Sequence, residues 1–198
     1  MAKAILISIK PRFVRDILNG DKTIEIRKTI PKCDLPTDVY IYVTKDKKEK
    51  LFRNLGTKKY FLIHCADATG FNGKVVAKFT LNKVEKISLP YTKFGKLEWV
   101  GCENERTLQT ISLDEKDLLK MSCLTESEIY KYLNFNKKPC GYAWHIDKLK
   151  IFKEPKELNN FLVNSHKVSG IGFNGENKTF TILKTMEKSP QSWCFIEV

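Results

Sequence analysis

The sequence predicts an α+β fold: a small closed or nearly closed β-barrel with helices at its ends. Two observations predict this class. Most of the patterned segments alternate apolar and polar residues as strands do, and parallel βαβ alternation is not sustained along the chain. A third observation, that no internal repeat is visible, excludes a solenoid. With 198 residues, 42% hydrophobic residues and 12 Phe, the chain can form one domain with a real core. We therefore predict a single domain spanning residues 1–198.

The first elements are a strand, a helix and a second strand. The apolar run AILISI predicts a buried strand over residues 4–9, and Pro11 suits the first turn of a helix. That helix has one apolar face, formed by Phe13, Val14, Ile17 and Leu18. It is expected to end at the Asn-Gly pair ending at Gly20. In the following KTIEIRK, Thr23, Glu25 and Arg27 share one strand face, and the two isoleucines share the other.

The middle of the chain predicts strands interrupted by two insertions, at about residues 45–73 and 90–135. VYIYVT predicts a strand at 39–44, and KVVAKFTLNKVEKISL predicts one long strand at 74–89. The first insertion holds a charged run and one strand, KYFLIHCA. The second holds two helices. Ser112 is the expected N-cap of the first, and Thr125 and Glu128 have the spacing of a capping box for the second.

The C-terminal third again predicts mostly strands. GYAWHIDKLKIF predicts a strand at 141–152, and EPKELNNFL predicts a short helix. Residues 164–178 are enriched in Ser, Gly and Asn and predict a loop. TFTILKT and SWCFIEV predict the last two strands.

The charge of the chain favours a polyanionic partner. Its 35 Lys and Arg against 23 Asp and Glu give a formal net charge of +12, spread along the whole chain. Nucleic acid is the first candidate for such a field and a membrane surface the second. A bland alternative is that the chain is merely basic and soluble.

The remaining composition predicts a cytoplasmic protein without a metal site. The N-terminal apolar run is soon followed by charge, so we predict no signal peptide, and no run approaches membrane-spanning length. Six cysteines form no Cys-x-x-Cys pair, and with three histidines they give no zinc spacing. We expect reduced cysteines, no cofactor and no membrane partner.

GDKTIEIRK resembles the Gly-x-Lys-x-x-Glu-x-Arg signature of the ASCH domain, a member of the PUA-like superfamily. The matching residues are Gly20, Lys22, Glu25 and Arg27. The segment ILISIKPRFVRDILNG is similar to the strand and helix that precede this motif in ASCH proteins, and VYIYVT and GKVVAKFTLNKVEKI are similar to the barrel strands after it. GYAWHIDKLKIFKEPKEL and the terminal SPQSWCFIEV are similar to the C-terminal half of the small phage-like and bacterial ASCH proteins. The resemblance is poorest in the two insertions.

The resemblance implies a mixed β-barrel of five to six strands with peripheral helices and a basic cleft beside the motif. It also implies an RNA or nucleotide-like ligand, by analogy with PUA domains. Some members are enzymes: one type hydrolyses acetylated cytidine with a Lys, a Thr and a distant Glu, and another is described as a ribonuclease. Lys22 matches that lysine, but Glu25 stands where the threonine would be. Glu85 and Glu98 are candidates for the distant glutamate.

The motif side chains have two readings. Alternating charges on a strand are usually solvated, but a carboxylate between two cations could instead orient them on a ligand. Glu25 could accept from the exocyclic amine of cytosine or hold a ribose hydroxyl. Arg27 could bind a phosphate with its guanidinium fork, and Lys22 could act as a point charge. If the chain is an enzyme, Lys22 and Glu25 are its expected acid–base pair.

Five further residues are candidate ligand contacts. Lys10, at the start of the first helix, could help to bind an anion, or it could be surface charge. Gln191, Ser192 and Trp193 could read or stack on a base, although a Trp that enters a strand commonly closes a core. Tyr42 could line a cleft or fill the interior.

Three functions follow as hypotheses. The first is a module that binds RNA or a nucleotide-like ligand. The second is a hydrolase, either a ribonuclease or a modified-nucleoside amidohydrolase. The third is a regulatory module that binds a small metabolite or a protein partner.

Overall fold

The structure, a computed structural model, describes residues 3–65, 70–88, 100–102, 115–133, 140–171 and 177–198. These parts of the chain hold mostly strands. The strands are β1 (Lys3–Ile9), β2 (Ile24–Arg27), β3 (Thr37–Val43), β4 (Glu49–Arg53), β5 (Tyr60–His64), β6 (Val75–Leu81), β7 (Val84–Ser88), β8 (Val100–Cys102), β9 (Cys140–His145), β10 (Asp147–Lys156), β11 (Leu162–Ile171), β12 (Asn177–Thr185) and β13 (Trp193–Glu197). The helices are α1 (Pro11–Asn19), α2 (Glu115–Ser122), α3 (Glu126–Leu133) and a 3-10 turn at Leu158–Asn160.

A seven-stranded sheet forms the centre of the molecule, in the order β10-β6-β3-β1-β13-β11-β12. β1 pairs in parallel with β3 and antiparallel with β13. Its continuous apolar run fits this central place, because a strand covered on both faces does not need to alternate. Ile5 and Ile7 enter the larger core cluster, whereas Ala4 and Leu6 enter a second one.

A four-stranded sheet, in the order β2-β9-β7-β8, carries the motif. Helices α2 and α3 cover one of its faces. Leu118 and Ile129 of these helices share a core cluster with Ile24, Ile26 and Ala143 of the sheet. The third sheet is the hairpin β4-β5, which is tied to the end of α1 by two hydrogen bonds between Asn19 and Tyr60.

The α+β class with a majority of strands is confirmed, but the predicted closed or nearly closed barrel does not form in the described parts of the chain. There the seven-stranded sheet ends at the free edges of β10 and β12. The chain changes sheet between β6 and β7 and again between β9 and β10, so the two larger sheets are joined by covalent connections and do not close a ring of hydrogen bonds. The single domain and its two insertions stay predictions.

Several local predictions also differ from the structure. The strands expected at 74–89 and 141–152 are each two strands in different sheets. The expected loop at 164–178 is wrong, because most of it pairs as β11 and the start of β12. The expected helix in EPKELNNFL shrinks to a 3-10 turn, since β10 continues to Lys156.

One of the predicted helix-capping signals is confirmed. The capping box is confirmed: Glu128 N–H donates to Thr125 Oγ1 at 3.3 Å, and Thr125 N–H donates to Glu128 Oε2 at 3.0 Å. The expected N-cap Ser112 lies outside the described residues. In the described parts, no helix is both long enough and apolar enough to span a membrane.

Candidate functional site

The turn between α1 and β2 fixes where the motif begins. Gly20 has a φ of 84°, a left-handed conformation that favours glycine, and its N–H donates to Ile17 O at 3.0 Å. The backbone N–H of Lys22 then donates to Asp16 O at 3.1 Å. On the other side, Thr23 N–H donates to Met121 O at 2.9 Å. These bonds hold Lys22 between the end of α1 and the end of α2.

Lys22, Glu25 and Arg27 form a buried ion trio. Lys22 Nζ lies 3.2 Å from Glu25 Oε2, and Arg27 Nη2 lies 3.0 Å from Glu25 Oε1. Their side chains are only 1%, 8% and 6% exposed. The reading of these charges as a solvated strand surface is therefore wrong. One carboxylate between two cations leaves the trio with one net positive charge.

Lys22 is further held by α1 and α2. Its Nζ donates to the backbone oxygen of Ser122 at 2.7 Å, and it lies 5.3 Å from the centre of the Phe13 ring. Both contacts favour a fixed ammonium group, because the carbonyl oxygen and the ring face each attract a cation.

Arg27 joins β2 to the two central strands of the large sheet. Its Nη2 donates to Ser8 O at 2.8 Å, and its Nη1 donates to Ser192 Oγ at 3.2 Å. Ser8 N–H in turn donates to Ser192 O at 2.8 Å. Ser192, one of the sequence candidates, is thus in direct contact with the motif.

Two buried donors in this region have no hydrogen-bond partner among the described residues. They are Arg27 Nε and the indole Nε1 of Trp144. Trp144 is fully buried and lies directly across from Glu25 in the β2–β9 ladder. Because nearly all buried donors in proteins are paired, two unpaired donors near one carboxylate indicate a place where a ligand or water supplies acceptors.

Tyr132 of α3 belongs to the site, although the sequence did not single it out. Lys28 Nζ lies 5.2 Å from the centre of its ring, and its hydroxyl lies close enough to Arg27 and Glu25 for both charges to affect its pKa. Burial of the hydroxyl raises the pKa of Tyr132; the Arg27 guanidinium opposes this shift and the Glu25 carboxylate reinforces it. No spacing in the sequence could have indicated this proximity, because α3 follows the motif by about a hundred residues.

Trp193 packs against the core and lies at the edge of the site. Its ring packs against Trp144 at 5.8 Å and against Phe195 at 5.6 Å between ring centres, so it helps to cover the core. Its indole Nε1 donates to Thr29 Oγ1 at 3.0 Å, just beyond the end of β2. The residue is partly exposed and lies next to Ser192 at the edge of the site.

The other candidates lie elsewhere or at the margin. Lys10 is exposed at the N-cap of α1. Gln191 is exposed beside Ser192. Tyr42 is 3% exposed, and its side chain packs in the second core cluster with Phe161 and Met186, away from the ion trio.

Glu85 is on the same sheet but on its opposite face. It pairs in register with Ala143, which pairs with Ile26, so Glu85 points to the helix side. Its Oε2 lies 2.6 Å from His145 Nε2, and its Oε1 lies 2.7 Å from Lys83 Nζ. Burial acts to raise the pKa of Glu85, but these two partners outweigh it and hold the pKa below its usual value. Glu98 lies outside the described residues.

In the described ranges, no group of three or more His, Cys, Asp or Glu could hold a metal ion. The site is instead a cationic and hydrogen-bonding one: two fixed cations, one carboxylate, two unpaired donors and an aromatic ring.

Comparison with known proteins gives matches in structure only. No protein-family model matches the sequence, and no curated protein matches it. The crystal structure of ASCH from Zymomonas mobilis is similar at 17% identity and a TM-score of 0.45, covering 78% of this chain and 73% of that chain. A Tyr-to-Phe mutant of that protein is similar at 17% identity and a TM-score of 0.45, covering 79% of this chain and 77% of that chain. A Ser-to-Ala mutant of it is similar at 17% identity and a TM-score of 0.44, covering 78% of this chain and 74% of that chain.

These structures bear the name of the family that the motif of residues 20–27 resembles. At this TM-score the likeness carries no function to the chain.

Proposed function

We propose that the chain is an ASCH-like module of the PUA-like type that binds RNA or a nucleotide-like ligand at the motif site. The motif site comprises Lys22, Glu25 and Arg27 with the adjoining Ser192 and Tyr132. The observation that supports it most is the buried trio with one net positive charge and an unpaired Arg27 Nε. A buried excess charge is unfavourable, and an anion or an acceptor-rich ligand would compensate it.

Each side chain of the trio has a place in this proposal. Both oxygens of Glu25 face cations, so the carboxylate positions Lys22 and Arg27 and restricts their rotamers. Arg27 can offer Nε to a phosphate, ribose or base oxygen while Nη2 stays on Glu25 and Ser8. The polar tip of Glu25 can still accept from a ribose hydroxyl or an exocyclic amine, since a carboxylate has more than one acceptor site per oxygen.

The charge of the whole chain supports the same class of ligand. A net charge of +12 would attract a polyanion over a long range and speed its encounter with the site. Phosphate contacts release counterions, so binding of this kind weakens steeply as salt rises.

The test is a fluorescence titration of short single-stranded and hairpin RNAs at low and moderate salt. The variant Glu25→Gln removes the carboxylate that positions Lys22 and Arg27, with little change of shape, and raises the net charge of the trio from one to two. Because the two cations lose their positioning, we expect it to weaken binding by about tenfold or more, roughly 1.4 kcal/mol. The matched control is Glu85→Gln, a carboxylate of similar burial that pairs with Lys83 and His145 on the opposite face of the same sheet. It should bind as the wild type does. Absence of wild-type binding at low salt, or equal affinity of all three proteins, would refute the proposal.

A hydrolase is the second candidate, and one contact favours it. Lys22 Nζ and Glu25 Oε2 are 3.2 Å apart and shielded from water, which suits an acid–base pair. This function predicts that the protein releases product from RNA or from a modified nucleoside. The activity should persist through purification and be abolished in Glu25→Gln. Equal product formation by wild type and variant would assign the activity to a contaminant. A small molecule that stays bound through purification would instead support the third hypothesis, a regulatory module.

A further inference from the structure

We infer that Tyr132 is a base-stacking residue at the mouth of the motif site, so that the ligand presents an unpaired base, as single-stranded RNA does. This inference rests on the proposed function and adds to it the class of ligand.

Tyr132 borders the site and is partly open to solvent. It is 39% exposed although its neighbour Leu133 is 2% exposed and belongs to the core under α3. Its hydroxyl end reaches Arg27, whose side chain is 6% exposed. The ring therefore forms the transition between the buried ion trio and open solvent.

Two cations flank this ring at different depths. The Arg27 side chain is buried, and Lys28 is exposed. The Arg27 guanidinium lies close enough to the Tyr132 hydroxyl to affect its pKa, and Lys28 Nζ lies 5.2 Å from the ring centre. A base stacked on Tyr132 would thus have cations close by for its phosphates, a combination of aromatic and cationic groups that proteins use for single strands.

The geometry favours an unpaired base over a duplex. Tyr132 is a single ring near the buried ion trio, and a base can stack on it only if one face of that base is free. Bases in a duplex are covered above and below by their neighbours, whereas bases of loops and single strands can be splayed onto a side chain.

The experiment uses two probes and three variants of the full chain. The probes are a fluorescent single-stranded oligoadenylate of about eight nucleotides, within the usual site size, and an oligomer of equal length made of stable abasic units. The variants are Tyr132→Ala, Tyr132→Phe and the control Tyr130→Ala. Tyr130 lies two positions earlier on α3, is 36% exposed, and points to the other side of the helix.

We expect Tyr132→Ala to weaken binding of the oligoadenylate by roughly tenfold, which lies in the lower half of the range for one stacked base. Tyr132→Phe keeps the ring and should bind within about twofold of the wild type. Tyr130→Ala should bind as the wild type does. The abasic oligomer should bind all four proteins alike, because it has no base to stack.

The outcomes separate this inference from the function on which it rests. If wild type binds and Tyr132→Ala binds equally well, the inference is refuted and the proposed function stands. If Tyr132→Ala loses as much affinity for the abasic oligomer as for the oligoadenylate, the residue has a structural role and stacking is refuted. If Tyr132→Phe and Tyr132→Ala lose equal affinity, the hydroxyl carries the effect and stacking is again refuted. If wild type binds neither probe at low salt, both proposals fail, and the exposed ring becomes a contact for a protein partner.

Discussion

Removing the carboxylate of Glu25 should destabilise the fold far more than removing a carboxylate on the surface. Glu25→Ala leaves Lys22 and Arg27 as two like charges, each under one-tenth exposed, at a place where each had an anion within 3.2 Å. Deleting one partner of a buried pair costs about 3–5 kcal/mol. The comparison is Glu157→Ala, since Glu157 pairs with Lys74 at 2.7 Å but the two side chains are 56% and 39% exposed. Such a surface pair contributes about 0–1 kcal/mol.

Equilibrium unfolding in urea, followed by tryptophan fluorescence, measures both variants. With an m value of about 2 kcal/mol per molar urea, a loss of about 3 kcal/mol lowers the midpoint by about 1.5 M. The Glu157→Ala midpoint should move by less than about 0.5 M. Added salt should leave the difference nearly unchanged, because buried pairs are poorly screened. If the free energies of unfolding of Glu25→Ala and Glu157→Ala differ by less than about 1 kcal/mol, the trio contributes no more to stability than a surface ion pair, and the reasoning is refuted.

Three further predictions concern single residues. The depressed pKa of Glu85 means that its contribution to stability is complete above about pH 4.5 and is lost as pH falls through its lower, folded-state value. Urea midpoints measured against pH should therefore fall less steeply in acid for Glu85→Gln, and an unchanged slope would contradict this. Burial raises the pKa of Cys194 to about 11, so little of its thiol is ionised at mildly alkaline pH. In the native protein, iodoacetamide should therefore label exposed Cys65 well before Cys194, as measured by peptide mass spectrometry. Faster labelling of Cys194 would contradict this prediction. Gly20→Ala should lower the free energy of unfolding by about 1–2 kcal/mol, because alanine is strained in the left-handed conformation of this residue. No steric clash adds to this cost, since nothing lies within 4 Å of the added methyl group. An unchanged stability would show that the turn relaxes.

Short-range signals in the sequence predicted their elements well. Pro11 begins α1 and Gly20 ends it, and Thr125 and Glu128 form the capping box of α3. These signals hold because they depend on hydrogen bonds and dihedral angles within a few residues. The loop expected at residues 164–178 failed for the opposite reason: its polar composition is a weak local preference, and cross-strand pairing with β12 overrides it.

The sequence by itself determined the α+β class, the positive charge, and the face that Glu25 and Arg27 share, since strand alternation fixes that face. Only the tertiary structure decided that this face is buried, that Ser8 and Ser192 hold Arg27, and that Tyr132 reaches it. It also decided where the chain leaves one sheet for the other. The physical reason is the same in each case. Burial and side-chain partners depend on contacts between residues far apart in the chain, and a local pattern carries no information about which distant element will cover it.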